Sequence, residues 1–290
     1  MSLASSTPQQ SSFAPVCRDV AVLELVPHTP HDAGTPESSL FTLRLHAPEW
    51  EGWLPGQFVM VRPKRSSNET LWARPFSISR ADEKELVLVF QVVGRGTKAL
   101  LNLSPGELVT VWGPLGNCFT TLPDTPTLLL AGGIGIAPFV GYIENHPSPE
   151  NLRLHFGHRL PLECYPYEAC TSQSGKPVAA WSHRDGSPDD LVRFLATLEN
   201  DIRETALRGG LVLACGPMPF LKSVQRFALR HNARAQLSLE TRMACGVGAC
   251  LGCVVKSKPG HDAAPDAFSY VQTCTCGPIF RADKIDLGEE

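Results

Sequence analysis

The sequence predicts a multidomain β + α/β fold: an antiparallel β-barrel, then a Rossmann-like parallel α/β domain, then a small C-terminal module. Three observations carry this reading. Short apolar runs separated by Gly, Pro or charged turns fill the chain to about residue 122. From Pro123 onward, strand-like runs alternate with stretches of helical spacing, the pattern of a parallel sheet with crossover helices. From about residue 233 the composition shifts to Cys and Gly. A length of 290 residues suits about two full domains, so the last region is read as an added module.

The elements follow in chain order. "MSLASSTPQQSSFAP" (1–15) is polar and small, without a basic region or an apolar core. It resembles neither a signal peptide nor a transit peptide, and residues 1–14 are expected to be a disordered lead-in. "CRDVAVLELVP", "LFTLRLHAP", "GQFVMVRP", "RPFSISRA", "ELVLVFQVV" and "ELVTVWGP" are rich in Val, Leu and Phe, and are the expected barrel strands of residues 15–122. The polar patches "HTPHDAGTPESS" and "KRSSNET" are expected loops. "PTLLLAGGIGIAPFVGYI" reads as a buried strand, a glycine turn and a helix starting near Pro138. "NLRLHFGHR" is a second strand, "PDDLVRFLATLENDIRE" a helix, and "GGLVLACGPMPFLKSVQRFALRH" a strand, turn and helix. These make up residues 123–232, and the cysteine-bearing module takes 233–290.

Composition narrows the function classes. A net charge of −3 gives no basic footprint for nucleic acid or an anionic membrane. The longest apolar stretch, residues 127–143, is short for a membrane span and interrupted by Gly and Pro. A soluble, cytoplasmic protein is expected. Ten cysteines in a chain of this length, with no export signal, do not read as a disulfide framework. Cys17, Cys118, Cys164, Cys170 and Cys215 are scattered, as small core hydrophobes are.

The other five cysteines cluster. Cys245, Cys250 and Cys253 are spaced C-x4-C-x2-C, with Cys274 and Cys276 downstream in "QTCTCGPIF". That is the plant-type spacing for a [2Fe–2S] cluster. Each iron needs two thiolates in tetrahedral geometry beside bridging sulfides. Gly246, Gly248 and Gly252 leave room there and let backbone N–H groups turn toward sulfur. A structural zinc site also takes four cysteines, but its usual signature is two close C-x2-4-C pairs. The spacing leaves Cys274 and Cys276 as alternatives for the fourth ligand.

Four further motifs point to nucleotides. In "RPFSIS", Arg74 offers a guanidinium fork and Ser77 a hydroxyl, although the same residues also suit an ordinary edge strand. "GRGTKAL" (94–100) follows a strand and places backbone N–H groups and Thr97 at a helix start, or makes a plain tight turn. "LLLAGGIGIAP" runs an apolar strand into Gly132, Gly133 and Gly135, the strand–turn–helix context of a dinucleotide pyrophosphate site. Its spacing is G-x-G-x-x-P rather than G-x-G-x-x-G. "CGPMPF" (215–220) closes a later strand in the same way. Packing glycines would account for both turns as well.

The order of these motifs resembles the ferredoxin–NADP reductase superfamily, which joins an FAD-binding barrel to a nicotinamide-nucleotide domain. "SLETRMACGVGACLGCVV…TCTCGPIF" narrows the likeness to the electron-transfer subunits of the NAD-linked, two-subunit dihydroorotate dehydrogenases of bacteria. The resemblance covers nearly all of the chain beyond the lead-in. It implies FAD contacts at Arg74, Pro75, Phe76, Ser77, Gln91, Val92, Val93, Gly96 and Thr97. Beside these, the strand–turn–helix reading puts nucleotide contacts at Gly132, Gly133 and Gly135, and Cys215, Gly216 and Pro217 are expected to border the nicotinamide. The resemblance implies Cys274 as the fourth ligand beside Cys245, Cys250 and Cys253. Cys276 stands where members of the family usually carry Asp, and Cys118 where "GPLGNGF" is commoner.

The resemblance further implies an oxidoreductase subunit with FAD, a [2Fe–2S] cluster and NAD. On this electron path no side chain of its own need act as general acid or base on a substrate. The expected partner is an FMN-containing dihydroorotate dehydrogenase catalytic subunit, in a heterotetramer of two of each, serving pyrimidine biosynthesis. The same motifs also suit an NAD(P)H-dependent reductase serving ferredoxin or another oxidoreductase. After the strand "LRLHFG" stand His158 and Arg159 rather than Asp or Glu, and an Arg there suits a 2′-phosphate. NAD is what the resemblance implies.

Overall fold

The computed structural model describes residues 7–28, 39–64, 72–171, 178–184, 187–258 and 269–288. The polar patches at 28–39 and 64–70 lie outside these residues except at their ends, as do residues 1–6 of the lead-in.

The six expected barrel strands are all present: β1 (Val16–Pro27), β2 (Leu40–His46), β3 (Phe58–Pro63), β4 (Arg74–Ala81), β5 (Glu85–Gln91) and, after the short helix α1 (Arg95–Leu100), β6 (Leu108–Leu115). They close in the order β1-β2-β5-β4-β3-β6, every pair antiparallel. Inward residues such as Val22, Leu43, Leu45, Val59, Val61, Ile78, Leu86, Leu88, Val109 and Val111 fill the barrel. Closure removes the unpaired edges that such apolar strands would otherwise present.

The second layer contains β7 (Thr127–Gly132), α2 (Ala137–Glu144), β8 (Leu152–His158), α3 (Tyr167–Thr171), β9 (Ala179–Arg184), α4 (Pro188–Leu207), β10 (Leu211–Cys215), α5 (Met218–Arg230) and β11 (Arg234–Ser238). β7 is buried along its whole length because both faces are covered. Leu129 and Ala131 pack with Phe139, Tyr142 and Ile143 of α2 on one side. Leu128 and Leu130 pack with Phe194, Leu198 and Ile202 of α4 and with Leu221 and Val224 of α5 on the other. Each such leucine stabilises the fold by about 1.5–3 kcal/mol.

The last region adds β12 (Val254–Ser257), β13 (Ser269–Gln272), α6 (Thr273–Cys276), β14 (Ile279–Arg281) and β15 (Ile285–Asp286). β13, β12 and β15 form their own small sheet, whereas β14 joins the larger one, ordered β14-β11-β10-β7-β8-β9. The parallel layer therefore runs past residue 232. β11, grouped by composition with the cysteine module, pairs in parallel with β10, and β14 pairs antiparallel with β11. Its buried Ala235 and Leu237 join the α4–α5 core, which sets its place regardless of the Cys and Gly that follow.

The lead-in also differs from expectation over residues 7–14. Gln9 exchanges backbone hydrogen bonds with Cys118 (3.1 and 3.0 Å), and Thr120 Oγ1 donates to the Thr7 carbonyl at 2.8 Å. These bonds hold a segment with few apolar side chains of its own.

Candidate functional site

β4, β5 and α1 of the barrel face the carboxyl ends of β7, β10 and β11 across a cleft of about 290 Å3. Arg74, Pro75, Phe76, Ser77, Gln91, Val93 and Thr97 line it from the barrel side, and Ile134, Ala137, Pro138 and Cys215 from the sheet side. A larger hollow of about 820 Å3, lined by Arg18, Arg44, Glu49 and Glu85 among others, contains none of the residues expected to contact a cofactor.

Each expected residue has a definite place. Arg74 Nη1 donates to the carbonyls of Trp72 (2.8 Å) and Ala73 (3.1 Å). Its guanidinium crosses directly over Gly96, where a Cβ would come within 2.0 Å of Nε. Only glycine lets the arginine and α1 approach so closely. Thr97 Oγ1 accepts from the N–H groups of Val93 (3.0 Å) and Gly94 (3.2 Å) and donates to the Gly94 carbonyl (3.0 Å), so it fastens the turn between β5 and α1. Val92 points into the barrel core and is fully buried, while Val93 is exposed. The guanidinium fork, the Ser77 hydroxyl and the apolar walls of Pro75 and Phe76 form a donor set that fits a flavin nucleotide.

The two glycine turns lock together. A Cβ on Gly135 would lie 2.2 Å from the Cys215 carbonyl oxygen, and one on Gly132 would lie 3.0 Å from Pro217 Cδ. Gly216 abuts Gly132 and Phe220. Close packing thus accounts for Gly132, Gly135 and Gly216. Gly133 differs: its φ is +53° and nothing stands within 4 Å of where a Cβ would be. It is the glycine whose backbone is open to a ligand.

Ser238, Leu239, Glu240, Thr241, Met243 and Pro278 also line the cleft, although sequence reasoning did not single them out. The signal for the first of them was the end of a parallel strand, where ligands bind in open α/β sheets. Glu240 is accessible from the cleft yet crowded by protein, and that crowding raises its carboxyl pKa. Burial drives the Cys215 thiol pKa upward, with Glu240 adding to the effect and a hydrogen bond with Ser238 opposing it.

The cysteines come together as two pairs. Cys245 Sγ and Cys250 Sγ are 3.3 Å apart, and the N–H groups of Val247 (3.5 Å) and Cys250 (3.4 Å) point at Cys245 Sγ. Partial burial raises the Cys245 pKa, but these donors outweigh it and hold the thiol at about 7. Cys253 and Cys274, each 2% exposed, lie against one another, and burial together with this contact pushes Cys274 up to about 12. Cys276 is exposed. Among the described residues no three His, Cys, Asp or Glu side chains converge on a single ion. Two thiol pairs fit two irons rather than one zinc. Gly246 (φ +73°) and Gly248 (φ +85°) give the loop its shape, and a Cβ on Gly246 would strike Met60 Cγ at 2.6 Å.

The loop is tied to the barrel and to the end of β13. Trp112 Nε1 donates to the Cys245 carbonyl (3.0 Å), and Gln272 Nε2 donates to the Gly248 carbonyl (2.7 Å). Cys253 and Cys274 pack with Phe58, Met60, Ala73 and Leu115. Phe58 also lines the cleft, so the cluster that buries this cysteine pair reaches the cleft wall. Cys118, by contrast, is a core thiol: it donates to the Gln9 carbonyl at 3.1 Å, and burial pushes it up to about 12. No helix among the described residues is long and apolar enough to cross a membrane.

Comparison with known proteins agrees with this geometry. Residues 31–119 match the model of the oxidoreductase FAD-binding domain. Residues 240–286 match the iron–sulfur cluster binding domain of dihydroorotate dehydrogenase B. The electron transfer subunit of dihydroorotate dehydrogenase B (NAD(+)) from Caldanaerobacter subterraneus subsp. tengcongensis is 33% identical over 82% of this chain and 90% of its own length. That of Lysinibacillus sphaericus is 32% identical over 86% and 94%. A solved NADH-dependent reduced ferredoxin-NADP oxidoreductase chain shares the fold, with a TM-score of 0.67, 21% identity and coverage of 92% and 90%. At these identities and coverages, the chain belongs to the family of dihydroorotate dehydrogenase B (NAD(+)) electron transfer subunits.

Proposed function

We propose that this chain passes electrons from a dihydroorotate-oxidising catalytic subunit, FMN-bearing and present in two copies with two of this chain, to NAD+ in pyrimidine biosynthesis. The observation that carries the reading is the shared wall: Phe58 lines the cleft and belongs to the same buried cluster as Cys253 and Cys274. When bound, a flavin exchanges electrons in pairs with a nicotinamide and singly with a two-iron cluster, which is why the two sites must adjoin. The chain's own residues position these groups. Arg74, Ser77 and Thr97 shape the flavin side, Gly133 and Cys215 the nicotinamide side, and Cys245, Cys250, Cys253 and Cys274 hold iron.

Exposed apolar side chains lie in the same module as the cysteines. Val247, Leu251, Val254 and Tyr270 are exposed by 54%, 67%, 44% and 68%, unusual for apolar side chains grouped in one small module. These exposed apolar side chains support docking of a catalytic subunit beside the iron-binding loop. Mixing the chain with that subunit should create dihydroorotate-dependent NAD+ reduction, followed as NADH absorbance. No gain over the catalytic subunit alone would sink the proposal.

A further inference from the structure

We infer that the Thr273 hydroxyl donates a hydrogen bond to sulfur of the bound iron cluster and so raises the reduction potential there. The inference deepens the reading of the cysteine module as an iron–sulfur site and rests on it. Thr273 is the first residue of α6, directly before Cys274, and it is fully buried. Its backbone is engaged on both sides. The N–H donates to the Cys253 carbonyl (2.8 Å), and the carbonyl accepts from the Gly277 N–H (3.1 Å). Thr273 is therefore fastened to one residue of the buried cysteine pair and covalently joined to the other. Its hydroxyl, in contrast, has no hydrogen-bond partner among the described residues. Other helical threonines find an acceptor close by. Thr197 and Thr205 of α4 donate to the carbonyls four residues back, those of Arg193 (3.0 Å) and Asp201 (2.7 Å), and Thr275 donates to Gln272 Oε1 (3.3 Å). Thr273 opens its helix, and the residue four before it, Ser269, lies in β13, so no helical carbonyl stands one turn behind it.

A buried hydroxyl without an acceptor destabilises a fold, and a valine of nearly the same shape would not carry that cost. The surroundings say what the acceptor is. The side chains clustered with Cys253 and Cys274 are apolar: Phe58, Met60, Ala73 and Leu115. Asn117, the buried amide that reaches this segment, is committed to Cys276 and Ile279. A lone water in such a setting would lack the polar partners that hold buried water. Sulfur that binds iron is what remains. A neutral thiol accepts weakly, whereas thiolate and sulfide are charged and accept well. A donor at such a sulfur stabilises the added electron of the reduced state. The outer pair already has donors, the N–H groups of Val247 (3.5 Å) and Cys250 (3.4 Å) at Cys245 Sγ. The Thr273 hydroxyl adds one beside the inner pair. It keeps its proton: reduction brings in one electron, and no bond to oxygen forms or breaks.

Full-length Thr273→Val and Thr273→Ser, purified anaerobically beside wild type, test this. Potentiometric titration followed by electron paramagnetic resonance of the reduced cluster reads the potential. Thr273→Val should lower the equilibrium constant for one-electron reduction at least fivefold, about 41 mV at 59 mV per tenfold. Thr273→Ser restores the hydroxyl and should stay within fivefold of wild type. Proton electron–nuclear double resonance before and after exchange into D2O reads the contact itself. Wild type and Thr273→Ser should show an exchangeable proton coupling that Thr273→Val lacks. Should Thr273→Val fail to retain iron, Thr273→Ala takes its place on the same thresholds. A shift below fivefold in the apolar variant, a shift of fivefold or more in Thr273→Ser, or identical exchangeable couplings in all of them overturns the inference. A wild type without iron and acid-labile sulfide would overturn the iron–sulfur reading and this inference together, whereas a loaded cluster with an unmoved potential overturns the inference alone.

Discussion

Gly135 has no room for even a methyl group. Its Cβ would stand 2.2 Å from the Cys215 carbonyl oxygen and 2.6 Å from the Gly216 nitrogen, both backbone atoms that cannot swing aside. Gly135→Ala should therefore force the two turns apart, lowering stability by about 1–3 kcal/mol and abolishing nicotinamide-dependent flavin bleaching. Gly133→Ala meets no protein neighbour and carries the left-handed backbone cost of about 1–2 kcal/mol, but its methyl group would enter the space open to the nucleotide. Both variants should therefore slow nicotinamide-dependent bleaching, read anaerobically beside thermal melts; wild-type bleaching by folded Gly133→Ala would place the nucleotide elsewhere. The cysteines allow a similar comparison. Cys274 is buried against Cys253, whereas Cys276 is exposed, its sulfur 3.9 Å from the Thr275 hydroxyl and its carbonyl held by Asn117 Nδ2 at 3.1 Å. Cys274→Ser should lose most iron and acid-labile sulfide while Cys276→Ser keeps both, read by quantifying the two on anaerobically purified protein. Iron loss from the Cys276 variant alone would reverse the ligand assignment.

Helix α4 is fastened to β8 through buried charge. Asp201 of α4, 7% exposed, has Oδ2 3.1 Å from His155 Nε2, not aligned as a hydrogen bond, and Oδ1 3.4 Å from Arg153 Nη2. Burial depresses the His155 pKa, with Asp201 pulling the other way and Arg153 adding to the depression. The unfolded chain therefore binds more protons than the folded one as pH falls through the ordinary histidine range. The contribution is present above about pH 6.5 and is lost as pH drops toward the folded value. Denaturation midpoints should fall from pH 7.5 to 5.5, and His155→Gln should flatten that fall; an unchanged slope would count against the assignment. Elements of this kind differ in how plainly the sequence announces them. The barrel strands and α4 and α5 are legible because each repeats one period between Gly, Pro or capping residues, as with Ser187 ahead of α4. β9 is nearly all exposed at a sheet edge and carries no alternation to read. β11 and β14 are placed by pairing between distant segments, which no local pattern encodes. The thiolate spacing and the glycine turns were equally legible, whereas Ser238, Glu240 and Met243 reach the cleft only because β11 joins the larger sheet.

At the scale of the whole molecule, the three regions behave as one body because buried polar side chains cross between them. Gln236 of β11 and Thr120 of the barrel exchange hydrogen bonds at 2.6 and 3.0 Å, and the Tyr142 hydroxyl of α2 donates to the Thr120 carbonyl at 2.9 Å. A Cβ on Gly141 of α2 would strike Trp53 at 2.4 Å, so helix and barrel are in direct contact. Asn117 is the tightest of these links. It is 2% exposed, just after β6, and its amide spans to the segment that carries Cys274. Nδ2 donates to the carbonyls of Cys276 (3.1 Å) and Ile279 (2.8 Å), and Oδ1 accepts from the Ile279 N–H (2.9 Å). Asn117→Ala would strand those backbone groups in a dry interior, at about 1–3 kcal/mol for each one left unpaired. The strain falls on α6 and β14, not on β4 or α1, so the iron site should weaken before the flavin site does. Challenged anaerobically with a chelator, the variant should lose its iron several-fold faster than wild type while retaining its flavin. Equal rates of iron loss, or simultaneous loss of flavin, would mean that this amide does not govern how the iron-binding segment is held to the barrel.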